Sequence, residues 1–227
     1  MKLLTKSNQK VEKSIKEGYL TFILHLAPAT LSGYETCPKR TEGCTLGCLN
    51  TSGHGGMFKK GETTNRVQEA RIRRTKMFFE DRESFLRLLA HEINLAIKQA
   101  SKLGLTLAIR LNGTSDLAWE KYGIIEQFPA VQFYDYTKIR NRKVRHLSNY
   151  HLTFSKADGN DMDVRLAASE GMNVAVVFAK ELPSVYLGRQ VVNGDYTDLR
   201  FLDPAGVVVG LVAKGKAKKD VSGFVVR

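Results

Sequence analysis

The sequence lacks any long apolar segment. No run of about 18 apolar residues, the length that spans a bilayer as a helix, occurs in the 227-residue chain. The basic stretch from Met1 to Lys16 has no apolar centre of the kind that signal peptides carry. We therefore expect a protein without a membrane span or membrane partner, located in the cytoplasm.

Two common motifs of enzymes are also missing. No G-x-G-x-x-G element opens a helix after the first predicted strand, which disfavours a Rossmann dinucleotide site. No Ser-His-Asp order and no nucleophile elbow is evident, so ordinary hydrolase chemistry is not expected.

Negative charge is scarce relative to positive charge. The chain has 35 Lys and Arg against 23 Asp and Glu, which gives a formal net charge of +12. The basic residues are densest in 66–76, 138–145 and 214–219. This excess favours a polyanionic partner such as nucleic acid, with a solvated surface on a merely basic protein as the alternative.

Cysteine is scarce as well, but its three copies lie close together. They are Cys37, Cys44 and Cys48, in the spacing C-x6-C-x3-C. Thiols in the cytoplasm are kept reduced, so this grouping indicates metal ligation more than a disulfide framework. Three thiolates leave one open position on a four-coordinate metal, and an open position is where a metal does chemistry.

Apolar strand-like segments alternate with helical ones over most of the chain. The predicted strands are 19–27, 105–111, 131–136, 150–155, 173–179 and 206–213, with a further edge strand at 224–226. The predicted helices are 65–80, 82–103, a short one ending at 125, a basic one around 138–145 and one ending at 169.

This alternation predicts an α/β fold with mostly parallel strands joined by right-handed crossovers. Either a doubly wound open sheet or an incomplete (β/α)6 barrel fits, and we expect the incomplete barrel. No domain boundary is evident, so residues 1–227 form one predicted domain, with residues 1–18 as a flexible basic leader.

The cysteine loop follows the first predicted strand, and α/β folds place their active sites after the carboxyl ends of strands. Three alternatives remain for its thiols. They hold an iron–sulfur cluster with one open iron, they hold a structural zinc with His54 as the fourth ligand, or they bind no metal. The position of the loop favours the iron–sulfur cluster.

Polar residues follow the other predicted strands. We expect Lys156, Asp135 and Lys138 to be catalytic, and cofactor binding to fall to Arg110, Asn112, Asp116 and Ser155. The alternative for the Ser, Asp and Asn residues is that they cap the next helix. Arg110 lies inside a predicted strand, so its burial would require a partner such as Asp135 or Asp116.

An array of six β/α units with a three-cysteine loop after the first strand resembles the radical S-adenosylmethionine superfamily. The resemblance implies that Cys37, Cys44 and Cys48 hold a [4Fe–4S] cluster whose open iron binds S-adenosylmethionine. The spacing differs from the C-x3-C-x2-C usual in that superfamily. The stretch from Asn112 to Asp116 stands where its glycine-glycine-glutamate element is expected.

A second resemblance covers nearly the whole chain. The segments T-C-P-K-R-T-E-G-C, R-L-N-G-T-S-D, F-Y-D-Y-T-K and G-D-Y-T-D-L-R-F-L-D-P-A-G-V, at 36–44, 110–116, 133–138 and 194–207, are similar to a phage family labelled gene product eighty-eight. That resemblance implies a bacteriophage protein acting in the cytoplasm of the host cell.

We therefore expect a phage-encoded, radical S-adenosylmethionine-like iron–sulfur protein. Its [4Fe–4S] cluster and S-adenosylmethionine would act on a candidate nucleotide or nucleic-acid substrate. The alternative is a zinc-containing phage protein that binds nucleic acid or a host component without catalysis.

Overall fold

The computed structural model describes residues 1–6, 9–51, 53–57 and 64–227, and for 9–12, 51, 53 and 54 the backbone alone. Within that part of the chain, ten strands form one sheet. They are β1 (Leu4–Thr5), β2 (Tyr19–Leu24), β3 (Thr106–Arg110), β4 (Gln132–Thr137), β5 (Tyr150–Ser155), β6 (Val174–Phe178), β7 (Val185–Tyr186), β8 (Arg189–Asn193), β9 (Val208–Val212) and β10 (Val225–Val226).

The strand order is β1-β2-β3-β4-β5-β6-β9-β8-β7, and β10 pairs with β6. The six strands from β2 to β6 and β9 are parallel to one another and follow the chain order without reversal. A doubly wound sheet reverses its order at a switch point, and these six strands have none. The protein is thus an α/β protein with an open, mostly parallel sheet.

Alternate residues of these strands face opposite sides, because side chains of a strand alternate with period 2. Leu20, Phe22 and Leu24 of β2 join the main hydrophobic core with Leu107 and Ile109 of β3. On the other side, Ala108 and Tyr134 pack with Leu199, just before the 3-10 turn Arg200–Leu202, and with Tyr19 and Phe201. We call the second side the inner face.

Two long helices cover the main core. They are α3 (Arg66–Glu80) and α4 (Arg82–Lys102); the shorter helices are α1 (Gln9–Lys16), α2 (Glu42–Leu46) and α5 (Asp161–Ser169). Asn65 caps α3 by accepting the N–H groups of Val67 and Gln68 at 3.0 Å. One side of helix α4 packs on the main core, where Phe85, Leu89 and Ile93 are fully buried.

Most predicted elements are confirmed, and β5 has the bounds expected. The basic helix predicted around 138–145 is wrong, because that segment is a loop of turns. The short helix predicted to end at 125 is only the 3-10 turn Trp119–Lys121 followed by further turns. Residues 180–205, where the sequence predicted no strand, contain β7 and β8.

Within residues 1–18, expected to be a flexible leader, β1 pairs antiparallel with β2. Leu3 and Leu4 are fully buried against the main core, and Glu92 of α4 accepts their N–H groups at 2.8 and 2.7 Å. Two neighbouring apolar residues and a paired strand therefore anchor this basic stretch. None of the described helices is long and apolar enough to cross a membrane.

Replacement of Phe78 tests the aromatic centre of the main core. Its buried ring lies 5.1–5.3 Å, between centroids, from Phe79, Phe85, Trp119 and Tyr122. We expect Phe78→Ala to lower the free energy of unfolding by about 3–5 kcal/mol, because a cavity replaces the ring. Denaturant titration measures this loss. Phe79→Ala, at the half-exposed neighbour, should cost clearly less, and equal losses would contradict this account of the core.

Candidate metal centre

The cysteine loop begins after β2 at the carboxyl edge of the sheet. Cys37 lies in a turn, helix α2 carries Cys44, and Cys48 follows that helix. Thr41 begins the helix, since its Oγ1 accepts the N–H of Cys44 at 3.2 Å. None of the three cysteines forms a disulfide, and all three are half-buried. A short capped helix thus carries Cys44 and places Cys48 just beyond its end.

Hydrogen bonds from neighbouring loops fix this segment. Thr36 donates its hydroxyl to the carbonyl of Ala27 at 2.6 Å, and its own carbonyl accepts the N–H of Asp116 at 2.8 Å. Asp158, in the loop after β5, accepts the hydroxyl of Thr41 and, at 3.1 Å, the N–H of Gly43. The loop is therefore tied to the ends of β2, β3 and β5.

Two glycines let the carboxyl-terminal segment pack on the loop. A Cβ at Gly43 would come within 2.8 Å of the Cβ of Phe224 and closer still to the hydroxyl of Ser222. A Cβ at Gly47 would lie 3.1 Å from the ring of Phe224. Glycine is needed at Gly43 because the two segments approach so closely.

The thiols lie in one electrostatic environment. Burial raises the pKa of Cys37 to about 11, and the negative charge of Cys48 adds to this rise. Burial also raises the pKa of Cys48, with a further contribution from Cys44. The N–H groups of Ala29 and Asn50 point at the sulfurs of Cys37 and Cys48, each at 3.5 Å. The unligated thiols of Cys37 and Cys48 are therefore protonated at neutral pH.

Lys138 lies beside these thiols, as predicted for a residue at the end of β4. Burial opposes its charge, but its pKa is raised because Cys44, Asp116 and Cys37 favour the ammonium form. Asp116 accepts the N–H of Lys138 and the hydroxyl of Thr137, both at 2.8 Å. The structure thus brings two predicted site residues, Lys138 and Asp116, next to the cysteine loop.

Within the described part of the chain, no group of three or more His, Cys, Asp or Glu side chains is already arranged as a metal site. The side chain of His54, the alternative zinc ligand, lies outside the described residues. The donor set still fits a soft metal in number and type, because three thiols interact electrostatically and N–H groups point at two of them.

Asn112 and Asp135, two further predicted site residues, form a buried network with each other. The N–H and the Nδ2 of Asn112 donate to the Asp135 carboxylate at 2.6 and 3.1 Å. Tyr150 donates its hydroxyl to the same carboxylate at 2.8 Å. Asn112 Oδ1 accepts from Ser115 Oγ and Trp119 Nε1. These contacts lie on the helix-covered side of the sheet and favour a positioning role for both residues.

Arg110 reaches the inner face, and its partner is Asp198, not the expected Asp135 or Asp116. Its Nη1 lies 2.7 Å from a carboxylate oxygen of Asp198, and its guanidinium stacks 4.7 Å from the ring centroid of Tyr136. Burial opposes the charge of Arg110, but Asp198 and, to a smaller degree, Tyr136, Tyr134 and Asp135 together outweigh it and raise the pKa of the guanidinium. Arg110 and Asp198 therefore form a closed ion pair on the inner face.

Ser155 and Lys156 end β5 on the same edge. Lys156 is 8% exposed; its ammonium group donates to the carbonyl of Gly223 at 3.3 Å and lies 3.5 Å from Asp161. The backbone carbonyl of Ser155 accepts the Nδ2 of Asn160 at 3.0 Å. These contacts tie the β5 end to α5 and to the carboxyl-terminal segment.

Sequence reasoning did not connect helix α3 to this edge. Arg74 donates to the carbonyl of His25 at 3.3 Å, and Arg71 donates to the side chain of Asn50 in the cysteine loop. The pKa of His25 is lowered to about 3, mainly by burial and further by the positive charges of Arg71, Arg110 and Arg74. The signal was available, because positions i and i+3 of a helix share a face.

These features define an α/β protein with an open, mostly parallel sheet and a three-thiol loop at its carboxyl edge. The chain belongs to the gene product 88 family, whose model matches residues 2–227, and this supports the expectation of a phage protein. Neither the curated proteins nor the solved structures contain a match to the chain.

Removal of the Asn112 side chain tests the buried network. We expect Asn112→Ala to lower the free energy of unfolding by about 3 kcal/mol or more, because the buried indole N–H of Trp119 loses its acceptor and the buried Asp135 carboxylate loses one of its three donors. Ser115→Ala removes only one donor to Asn112 and should cost about 1 kcal/mol. Denaturant titration compares them; if the two variants lost equally little, the network would not be structural.

The depressed pKa of His25 predicts an acid-dependent loss of stability. The unfolded chain binds a proton near pH 6.5, whereas the folded chain binds it only near pH 3. Folding is therefore penalised as pH falls below 6.5, by about 2 kcal/mol at pH 5. The comparison is the unfolding free energy at pH 7 and pH 5 for the wild type and His25→Gln. The variant should lose less by that amount, and parallel pH profiles would refute the assignment.

Proposed function

We propose that this protein holds a [4Fe–4S] cluster on Cys37, Cys44 and Cys48. Backbone N–H groups lie 3.5 Å from the sulfurs of Cys37 and Cys48. The observation that carries the proposal is the position of these two thiols and that of Cys44 in one loop, beside Lys138, at the carboxyl edge of the sheet. They are the only cysteines of the chain. Hydrogen bonds to cluster sulfurs and nearby positive charge are the levers by which proteins stabilise such clusters.

The order of the strands supports the carboxyl edge of the sheet as the location of this chemistry. Six parallel strands in chain order, without a switch point, fit the proposal of an incomplete (β/α)6 barrel that resembles radical S-adenosylmethionine enzymes. In such folds the loops at the carboxyl ends of the strands form the active site. The cysteine loop, Asp116 and Lys138 all lie at that edge.

The inner face has groups suited to a bound ligand. Tyr134 is fully buried and Thr21 is 1% exposed, and neither hydroxyl has a hydrogen-bond partner within the described part of the chain. Buried polar groups are rarely left unpaired, so a ligand or ordered water is expected beside them.

When bound, a cluster with one open iron would supply an electron to S-adenosylmethionine and so start radical chemistry. The side chains of the protein would balance the charge of the cluster and position the strand ends around it. Lys138 would offset the negative charge of the thiolates, while Asn112 and Asp135 would hold the β3 and β4 ends in place. The net charge of +12 favours a nucleotide or nucleic-acid substrate in the cytoplasm of the host cell.

Iron and acid-labile sulfide content of protein purified without oxygen tests the proposal. We expect about four irons per chain. The triple variant Cys37→Ala/Cys44→Ala/Cys48→Ala should contain none. Thr45→Ala, an exposed change in the same helix, should keep the full content.

A colourless protein with one zinc per chain would contradict the iron–sulfur proposal. The alternative, a zinc-containing protein that binds nucleic acid or a host component, would then replace it. His54→Ala would test its fourth ligand, because a zinc held by three cysteines and His54 should be weakened by that change.

A further inference from the structure

A large cavity lies at the amino-terminal edge of the strands, away from the cysteine loop. Its volume is about 860 Å³, within the range of ligand sites. The connection from β4 to β5 forms one wall, and the segments 170–173 and 203–205, which precede β6 and β9, form the other. The cavity is open where that connection lacks a crossover helix.

The lining of this cavity is mainly basic. It includes Arg140, Arg142, Lys143, Arg145, His146 and His151, against two carboxylates. Both carboxylates are matched by arginines: Glu170 lies 2.7 Å from Arg140, and Asp203 lies 3.3 Å from Arg200. The surplus is therefore positive.

Lys143 and Arg145 carry that surplus. Arg142, which directly precedes Lys143 in the chain, has a buried side chain paired with Glu120, and this pair anchors the wall. Val144 packs against the main core, so the exposed residues on either side of it face away from the core. Among the described residues, no carboxylate lies within ion-pairing distance of Lys143 or Arg145.

The side chains of the lining indicate which class of ligand the cavity fits. Among the described lining residues there is no Phe, Tyr or Trp, so bases would find no stacking platform. The carbonyls at the end of α5, which would repel an anion, are bonded by Arg189 at Ala168 and Met172. Fixed, unpaired cations without aromatic side chains match a phosphate backbone, which needs charge more than base contacts.

We propose that this cavity binds the phosphate backbone of a nucleic acid through Lys143 and Arg145. The site is separate from the cysteine loop, so this proposal does not depend on whether the protein binds a metal. We expect it to take phosphates without regard to sequence, because contacts to the phosphate backbone carry no direct sequence information.

Fluorescence anisotropy with a labelled single-stranded DNA of about 16 nucleotides tests the site. We expect Lys143→Ala/Arg145→Ala to bind about tenfold more weakly at low salt. The slope of log affinity against log salt should fall by about 1.4, for two lost phosphate contacts. The matched control Lys216→Ala/Lys218→Ala removes two exposed cations from another basic stretch and should keep the wild-type slope.

Three outcomes would overturn the proposal. The first is that the wild-type protein does not bind the DNA. The second is that both double variants lose affinity equally, which would mean that only net charge matters. The third is that ATP displaces the DNA at equal phosphate concentration, which would indicate a nucleotide site. If the alanine variant has a lowered melting temperature, Lys143→Gln/Arg145→Gln replaces it, and the same loss of affinity and slope is required.

Discussion

The buried pairing of Asn112 with Asp135 is the constraint on which the carboxyl edge of the sheet depends. It ties the loop after β3 to β4, reaches β5 through Tyr150, and holds Trp119 by its indole N–H. Burial raises the pKa of Asp135 to about 7, and the donors and two nearby arginines work against that rise. A carboxylate this deep is tolerable only while its donors stay in place.

This network also fixes the position of the cysteine loop. The N–H of Asp116, four residues beyond Asn112, bonds to Thr36 next to Cys37, and its carboxylate bonds to the N–H of Lys138. The carboxyl-terminal segment then packs on Gly43 and Gly47 from the other side. The three thiols therefore lie between two layers of the same chain, at the edge where the parallel strands end.

The sheet was predictable because its signal is local. Apolar runs bounded by turn residues predicted all six parallel strands. The basic stretch 138–145 was misread as a helix because charge carries no period; Arg142 bonds to Glu120 and Tyr150 instead. Of the candidate site, Lys138 and Asp116 were predictable from strand ends, whereas the pairing of Arg110 with Asp198 spans 88 positions and has no sequence signal.

The two edges of the sheet have different chemistry under the functions proposed above. The carboxyl edge has soft thiol donors beside a buried ammonium group, and the amino edge has unpaired surface cations. The departure of C-x6-C-x3-C from the usual radical S-adenosylmethionine spacing makes the open iron the central question. The four extra residues of this spacing change where the thiols lie in the chain, but they do not change their number.

Electron paramagnetic resonance of the anaerobically reduced protein, with and without S-adenosylmethionine, tests the central claim most directly. A cluster held by three thiolates leaves one iron open, so the account predicts a reduced-cluster signal whose shape changes when S-adenosylmethionine is added. A signal that S-adenosylmethionine leaves unchanged would contradict the open iron. Absence of any cluster signal would contradict the cluster itself.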